Sequence, residues 1–265
     1  MNLIIYFNQL RKEATTVAKK LEKILKKQGV QVYVCSSNAK AKFSEKIHLG
    51  ISVGGDGTLI SLIRNFHTCC SAFVGINAGS LGFLTQLTVK NLTQGITKIL
   101  KGIYQLQSRR FLEVKLGPKQ YLAVNDVYFV RKKGAGLVNL IFYLDDFGSS
   151  CVRGDGLIIS SPTGSTAYSL AAGGPIVYPE CDCVVLTPIC SHSLGFRPLV
   201  LPNFCRIKVK VNQDSCPVSL LIDGHIELAI KDEVAQVKLS EKTYNLVVLS
   251  KDFFVNNLKN KLNWA

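Results

Sequence analysis

Residues 47–66 read IHLGISVGGDGTLISLIRNF, and this stretch decides the fold. The apolar run at 47–53 predicts a buried strand, and residues 59–66 predict a helix. Between them lies Gly54-Gly55-Asp56-Gly57-Thr58, a glycine-rich turn that opens the helix. Backbone amides and the positive end of a helix dipole hold phosphate oxygens at such turns. The stretch therefore predicts a strand, turn and helix with an anion site at the turn.

The acid within this turn, Asp56, distinguishes it from other phosphate loops. Neither the GxGxxG spacing of dinucleotide folds nor the GxxxxGK[ST] spacing of P-loops occurs in the sequence. A carboxylate beside a bound phosphate is unfavourable unless it binds a metal ion or takes up a proton. We expect Asp56 to do one of these. The simpler alternative is a structural turn in which Asp56 only caps backbone amides.

Strand and helix patterns alternate on either side of this stretch. The further predicted elements are strand 3–7, helix 9–28 ending at Gly29, strand 30–34, strand 72–76 and helix 88–101. We therefore predict an α/β N-terminal domain, Rossmann-like with a parallel sheet, over residues 1–101.

After residue 102 the pattern changes to short apolar runs that are typical of strands. These runs are 111–116, 121–130, 137–144, 157–160, 183–186, 207–211, 218–222, 235–239 and 246–249. One helical piece is predicted at 167–172. We predict a β-rich C-terminal domain over 102–249. The apolar C-terminal tail, about 250–265, is predicted to pack back on the first domain and complete it.

Composition narrows the class of protein. Apolar residues make up 47% of the chain and charged residues 19%, which excludes a long disordered protein. The formal charge of +14 favours polyanionic ligands of any kind. Six lysines between Lys12 and Lys27 are interpreted as the solvated face of an amphipathic helix rather than a nucleic-acid stripe.

The cysteines and the apolar segments indicate the compartment. Nine cysteines, an odd number without a CxxC pair, fit reduced thiols in a cytoplasmic protein. The first residues do not resemble a secretion signal, and no run of eighteen apolar residues occurs. The sequence therefore predicts neither a nucleic-acid nor a membrane partner.

A second polar stretch carries most of the functional information. Residues 153–175 read RGDGLIISSPTGSTAYSLAAGGP, which encodes a charged turn, a buried strand, a hydroxyl-rich loop and a short helix. The hydroxyls of Thr163, Ser165 and Thr166 are candidates for binding hydroxyls or phosphates. Asp155 can accept a hydrogen bond from an amide, and Tyr168 offers a flat face to a ring.

Across nearly its whole length the chain resembles the NAD kinase family, whose members use ATP or polyphosphate. Four separate segments carry the resemblance: Gly54 to Thr58; NAGSLGFL at 77–84; Asn125-Asp126; and the stretch from Gly154 to Pro175. The first is shared with diacylglycerol-type lipid kinases and, in related form, with 6-phosphofructokinases. The last is specific to NAD kinases. Weaker similarity follows at TPICSHSL, 187–194, and at Asp223-Gly224-His225.

The resemblance implies an enzyme that phosphorylates the 2′-hydroxyl of the adenosine ribose of NAD to give NADP. Asp56 would accept the proton of that hydroxyl or bind the metal that polarises it. The glycine turn, Gly54, Gly55, Gly57 and Thr58, would hold the phosphate donor. Residues implied in NAD binding are Asp56, Gly57, Asn125, Asp126, Arg153, Asp155, Thr166, Ala167, Tyr168, Ser169, Leu170, Ala171, Cys190 and His225.

Individual roles also follow from the resemblance. Asn125 and Asp126 would hold the adenine and ribose, and Arg153 would lie near a pyrophosphate or another charged part of the substrate. Asp155 would meet the nicotinamide amide, and Tyr168 would stack. Mg or Mn is the implied cofactor, with no metal ligand assigned from side chains other than Asp56 as a candidate. A homodimer or homotetramer is implied.

The family often has glutamine where His225 stands and proline or asparagine where Ser191 stands, so the contacts at Cys190 and His225 rest on the weakest matches. His192 and His225 are also compatible with hydrogen-bonded structural histidines. Asp223 is compatible with a plain turn acid, although the family suggests that it faces the site from a neighbouring subunit or loop.

Three alternatives remain open from the sequence. A lipid kinase would share the first glycine motif but would not need residues 163–171. A basic nucleic-acid-binding module would explain the charge and predict salt-dependent binding without turnover. A dinucleotide-binding dehydrogenase fits poorly, because the glycine spacing differs.

Overall fold

The computed structural model describes residues 1–37, 43, 45–79, 82–134, 136–193 and 195–264. Within it the chain forms two compact units, Met1–Ser108 with Tyr244–Ala265, and Arg109–Thr243. Three residues of the predicted motifs, Ser80, Leu81 and Leu194, lie outside the described residues.

The first unit is a parallel sheet flanked by helices. Its elements are β1 (Asn2–Phe7), α1 (Lys12–Lys27), β2 (Gln31–Ser36), β3 (Leu49–Gly54), α2 (Asp56–Phe66), β4 (Phe73–Asn77), β5 (Leu87–Thr88), α3 (Leu92–Leu100) and α5 (Phe253–Leu262). Strands pair in the order β2-β1-β3-β4, all parallel. Leu246, near the end of strand β17 (Ala235–Val248), also pairs with Phe73 in parallel. This arrangement is the Rossmann-like α/β fold that the sequence predicts.

Helix α1 shows why these residues fold as they do. Its buried side chains recur at helical spacing and include Ala14, Val17, Leu21 and Leu25. They join the core that β3 crosses with all of its residues buried. Gly29 ends the helix region with φ +73°, a conformation that glycine adopts without strain.

The second unit consists of two antiparallel sheets packed around one apolar core. The strands beyond those of the first unit are β6 (Gln105–Leu116), β7 (Lys119–Ala123), β8 (Asp126–Arg131), β9 (Val138–Leu144), β10 (Ser149–Gly154), β11 (Gly156–Ser160), β12 (Cys183–Ile189), β13 (Leu199–Pro202), β14 (Ile207–Val211), β15 (Val218–Ile222) and β16 (Ile226–Ile230). One sheet has the order β13-β12-β11-β8-β15-β16, and the other contains β10-β9-β14 with the first part of β17. Side chains such as Phe129 and Leu220, with no exposed surface, lie in the core between them.

Three strand predictions in this region are wrong. The run at 121–130 is two strands, because residues 124 and 125 leave the ladder, as the site geometry below explains. Conversely, 235–239 and 246–249 belong to the single strand β17. Strands β10, β13 and β16 were not predicted, because half or more of the residues of each are not buried and their apolar pattern is weak.

The C-terminal tail packs within the first unit, as predicted. Leu258 of α5 is buried. The side-chain amide of Asn257 donates to the carbonyl of Phe83 at 3.1 Å, and the Leu249 amide donates to the side chain of Gln86 at 3.3 Å. Among the described residues, none of the helices has the length and apolar character needed to span a bilayer.

Candidate functional site

The glycine turn of the first unit connects β3 to α2, as the sequence predicts, and the helix begins at Asp56 itself. Gly55 precedes it in an extended conformation without a side-chain cap. A Cβ on Gly54 would lie 2.3 Å from the hydroxyl of Thr58, so only glycine fits there. The turn thus presents the amino end of an 11-residue helix, where the dipole favours an anion.

The Asp56 carboxylate contacts the second sequence motif. It accepts hydrogen bonds from the amides of Phe83, Leu84 and Thr85, the latter two at 3.1 and 3.2 Å. A Cβ on Gly82 would lie 1.8 Å from the nearer Asp56 oxygen, which requires glycine at this position. The turn at 54–58 and the described end of the second motif, residues 82–84, therefore meet at a single carboxylate.

These amide contacts leave the carboxylate with reactive capacity. A carboxylate has about four acceptor positions, and three amides occupy three of them. The caps come from residues 83–85 and not from the amides of α2, which differs from the simple N-capping alternative. The fixed carboxylate can therefore accept one further hydrogen bond.

Helix α5 adds a cation that sequence reasoning missed. Lys261 places its ammonium 4.2 Å from the centre of the Phe83 ring. Burial lowers the pKa of Lys261, and the Asp56 carboxylate acts in the opposite direction. Only the apolar residues of this tail enter the sequence prediction. The sequence feature that could have indicated a cation here is the pair Lys259 and Lys261 in the last turn of the helix.

In the second unit, the turn from β7 into β8 comprises residues 124–126: residues 124 and 125 lie between the strands, and Asp126 is the first residue of β8. Asp126 is only 4% exposed, and its carboxylate accepts a hydrogen bond from the Tyr168 amide. The side-chain oxygen of its neighbour Asn125 is buried and has no hydrogen-bond partner within the described chain. An unpaired buried amide oxygen is unfavourable unless a donor reaches it, so Asn125 is a candidate for binding a ligand that carries a donor.

The backbone of this turn is held from the side of the 153–175 stretch. The Ser161 amide donates to the Asn125 carbonyl at 2.8 Å, and the Ser161 hydroxyl donates to the Val124 carbonyl at 2.7 Å. A Cβ on Gly164 would lie 2.0 Å from the Asn125 carbonyl oxygen. Gly164 is thus required by the close approach of two backbones.

The hydroxyl-rich loop begins with a 3-10 turn, Thr163–Thr166, and continues into the short helix α4, Tyr168–Ala171. Ser165 is fully buried, and its hydroxyl bonds the carbonyl of Pro162 at 2.7 Å. The Ser169 hydroxyl is paired with that of Thr187 at 2.8 Å. These two hydroxyls hold the loop in shape. Between them Thr166 is half-buried, and Tyr168 is 38% exposed.

Tyr168 is surrounded by several of the predicted site residues. Its ring meets that of Tyr128 edge-on, with centroids 4.9 Å apart. Burial raises the pKa of the Tyr168 hydroxyl, with smaller contributions from Cys190, Asp155 and Asp126. The structure therefore brings these three side chains together around Tyr168.

The remaining predicted residues lie at the edges of this unit. Asp155 forms an ion pair with Arg131, with Oδ1 2.9 Å from Nε. Arg153 and His225 are exposed. The imidazole Nδ1 of His225 lies 2.6 Å from the Asp223 carbonyl. Cys190 has φ +45°, an uncommon value for a residue with a side chain.

Burial, and to a smaller extent the nearby Asp223 carboxylate, raise the pKa of Asp126 to about 7. The ordinary value is 3.8, so between about pH 4 and 7 the folded protein holds a proton that the unfolded chain releases. The free energy of unfolding should therefore fall as the pH rises through this window.

We expect Asp126→Asn to remove that fall while retaining an acceptor for the Tyr168 amide. Urea unfolding at pH 4.5 and pH 8 measures it: relative to wild type, the free energy of unfolding of the variant should gain up to about 3 kcal/mol between the two. Parallel pH dependence of both proteins would contradict the raised pKa.

A parallel α/β unit that carries a glycine turn with an acid at a helix start, together with a β-rich unit, is an arrangement typical of a kinase. A family model described as ATP-NAD kinase N-terminal domain matches residues 35–104, and the ATP-NAD kinase C-terminal domain matches residues 124–249. The chain belongs to the NAD kinase family.

Individual relatives agree with this assignment. The NAD kinase of Protochlamydia amoebophila is 38% identical over 83% of this chain and 80% of its own length. The NAD kinase of Syntrophobacter fumaroxidans is 32% identical over 100% of this chain and 99% of its own.

Solved structures show the same fold. Yeast NADH kinase complexed with NADH has a TM-score of 0.89 at 23% identity, covering 100% of this chain and 88% of the yeast chain. The NAD kinase from Archaeoglobus fulgidus in complex with ATP has a TM-score of 0.77 at 25% identity, covering 97% and 96%. The predicted family and fold class are both confirmed.

Proposed function

We propose that this protein phosphorylates the 2′-hydroxyl of the adenosine ribose of NAD, with ATP as donor, and releases NADP. The observation that carries the proposal is the buried, unpaired side-chain oxygen of Asn125 beside the buried carboxylate of Asp126. Adenine offers an amino group to the first, and ribose offers hydroxyls to the second. The family membership of the chain supports the same substrate.

Asp56 is the proposed base. The 2′-hydroxyl donates its hydrogen bond to the one acceptor position that the amides of residues 83–85 leave on the carboxylate. The 2′-oxygen attacks the terminal phosphorus of ATP, and the proton of the hydroxyl passes to Asp56. The bond between that phosphorus and the bridging oxygen breaks, and ADP leaves. No covalent enzyme intermediate is needed.

Charge neutralisation is the second requirement of phosphoryl transfer. The amino end of α2 is suited to the donor phosphates, and the ammonium of Lys261 contributes positive charge in the same unit. Tyr168 is proposed to pack against a ring of the dinucleotide, Asp155 to meet the nicotinamide amide, and Arg153 to approach the pyrophosphate. The contacts of Thr166, Ala167, Ser169, Leu170, Ala171, Cys190 and His225 with NAD stay predictions.

A divalent ion, Mg or Mn, is proposed to act with the donor. The described residues contain no group of three or more His, Cys, Asp or Glu side chains placed to hold a metal. This fits magnesium bound mainly through substrate phosphates and water with at most one carboxylate, here Asp56. Such an ion would supply neutralisation of the phosphate charge. A cytoplasmic location and a homodimer or homotetramer are also proposed, because the chain belongs to the NAD kinase family.

A panel of donors and acceptors tests the function. Purified protein is given ATP, another nucleoside triphosphate or polyphosphate, together with NAD, NADH or diacylglycerol, with and without magnesium. We expect NADP from NAD and ATP, and loss of that product when EDTA removes the metal. Phosphorylated lipid without NADP would support the lipid kinase alternative and overturn the proposal.

A further inference from the structure

Asp223 lies in the turn between β15 and β16 and is only 8% exposed. Its carboxylate accepts hydrogen bonds from three consecutive amides: Val124 at 3.1 and 3.0 Å, Asn125 at 2.8 Å and Asp126 at 3.3 Å. We infer that Asp223 is a positioning residue, which holds the backbone of residues 124–126 so that the Asn125 and Asp126 side chains meet the adenosine of the substrate. This inference rests on the proposed function of that turn.

The conformation of the hairpin directs the carboxylate to this turn. Asp223 has φ +50° and Gly224 has φ +65°, and the His225 amide closes the turn on the Ile222 carbonyl at 3.0 Å. The left-handed conformation is strained for a residue with a side chain, although aspartate adopts it more readily than most. Burial of the charge is a second cost. The three amide contacts offset both.

The turn is held on all sides of its backbone. Asp223 takes the amides of residues 124–126, Ser161 donates to the carbonyls of Val124 and Asn125, and the Asp223 amide donates to the Asp126 carbonyl at 2.9 Å. The backbone of this turn is therefore satisfied, while the Asn125 side-chain oxygen is unpaired within the described chain. A fixed backbone with a side-chain acceptor left free for a ligand is what a preorganised binding turn requires.

Asp223 also acts on Asp126 through its charge. Several titratable groups lie around the Asp126 carboxylate: Asp223 on the hairpin, Tyr168 on α4, Tyr128 on β8, and beyond the tyrosines Glu227, Asp155 and Cys190. Burial has the largest effect on the pKa of Asp126, and the charge of Asp223 is the next cause that raises it. Neutralising Asp223 lowers that pKa, so Asp126 remains ionised, and able to accept from ribose hydroxyls, at lower pH.

Two variants test the positioning role. Asp223→Asn keeps the shape and one acceptor oxygen but removes the charge, whereas Asp223→Gly keeps the left-handed turn and removes the carboxylate. We expect the KM for NAD to rise about 5-fold in the first and about 30-fold in the second, with the KM for ATP nearly unchanged. In Asp223→Asn, the acid limb of kcat/KM for NAD should move about half a pH unit or more to lower pH.

The matched control is Asp214→Asn, an exposed turn acid of the same unit that bonds the side chain of Asn139 at 2.7 Å. It should leave both KM values and the pH profile as in wild type. NAD affinity by calorimetry is measured alongside, so that the positioning role is tested even if turnover is absent.

The outcomes separate the two ideas. Wild type that binds NAD but makes no NADP overturns the proposed function, and the affinities of the variants then decide the positioning role. Wild-type affinity, KM and pH profile in Asp223→Asn overturn the positioning role while leaving the function intact. Equal losses for NAD and ATP with a lowered Tm also overturn it, since they indicate a purely structural acid. If Asp223→Gly does not fold, Asp223→Asn alone decides.

Discussion

Replacing Asp56 by asparagine is expected to lower kcat for NADP formation at least about a hundredfold, with little change in the KM for NAD. Asparagine is nearly the same size and keeps one oxygen for the amides of Leu84 and Thr85. It loses only the acceptor for the Phe83 amide, so the turn should largely keep its shape. It cannot take the proton of the 2′-hydroxyl or offer a charged oxygen to a metal. Steady-state kinetics with a circular dichroism spectrum of the variant measure the effect.

The control for this variant is Asp252→Asn, an exposed acid of the same unit just before α5. It should have wild-type kinetics. Unimpaired turnover in Asp56→Asn would exclude Asp56 as base or metal ligand and return it to the role of a structural cap.

A methyl group on Gly82 is expected to reduce kcat by about 30-fold or more, because it displaces the Asp56 carboxylate. The added Cβ would lie 1.8 Å from one oxygen and 2.7 Å from the other, distances at which atoms cannot remain. Either the carboxylate or the loop of residues 82–85 must move. The residues of the second unit that are proposed to bind NAD are unchanged in this variant, so the KM for NAD should change little.

Two further variants sharpen this prediction. Gly136→Ala adds a methyl group where no described atom lies within 4 Å, and should behave as wild type. In the double variant Asp56→Asn with Gly82→Ala, the second change should add little, since the group it displaces has already lost its function. Full additivity of the two losses would contradict the coupling between Gly82 and Asp56.

The predictability of the fold differed between the two units. In the first unit, residues buried on both sides of parallel strands and the clear helical spacing of Leu21 and Leu25 leave few alternatives. In the second unit, local patterns misassigned 121–130 as one strand. The apolar residues there do favour a strand. The Asn125 amide, however, donates to the carboxylate of Asp223, which lies 98 residues away along the chain, and so does not donate to a neighbouring strand.

The candidate site residues could be named from the sequence where they stand in glycine turns and motif segments, and their roles stay predictions. Gly54, Asp56, Asn125 and Tyr168 stand in segments whose composition is unusual for plain structure, and the family resemblance they carried is confirmed. Lys261 could not be found in this way, because its role depends on the packing of α5 against Phe83.

The amino-acid sequence by itself determined the order of strands and helices in the first unit except for the short strand β5, where a helix from residue 88 was predicted and α3 begins at Leu92. It also determined the two polar loops and the family, because strand and helix periodicity and glycine turns are local properties of the chain. Only the tertiary structure decided which backbone amides donate hydrogen bonds to each buried carboxylate. Asp56 meets the amides of residues 83–85, and Asp223 meets those of 124–126. The physical reason is that a buried carboxylate needs hydrogen-bond donors, and the fold supplies them as unpaired amides from segments distant in the sequence. The spacing of residues along the chain does not show which segments these are.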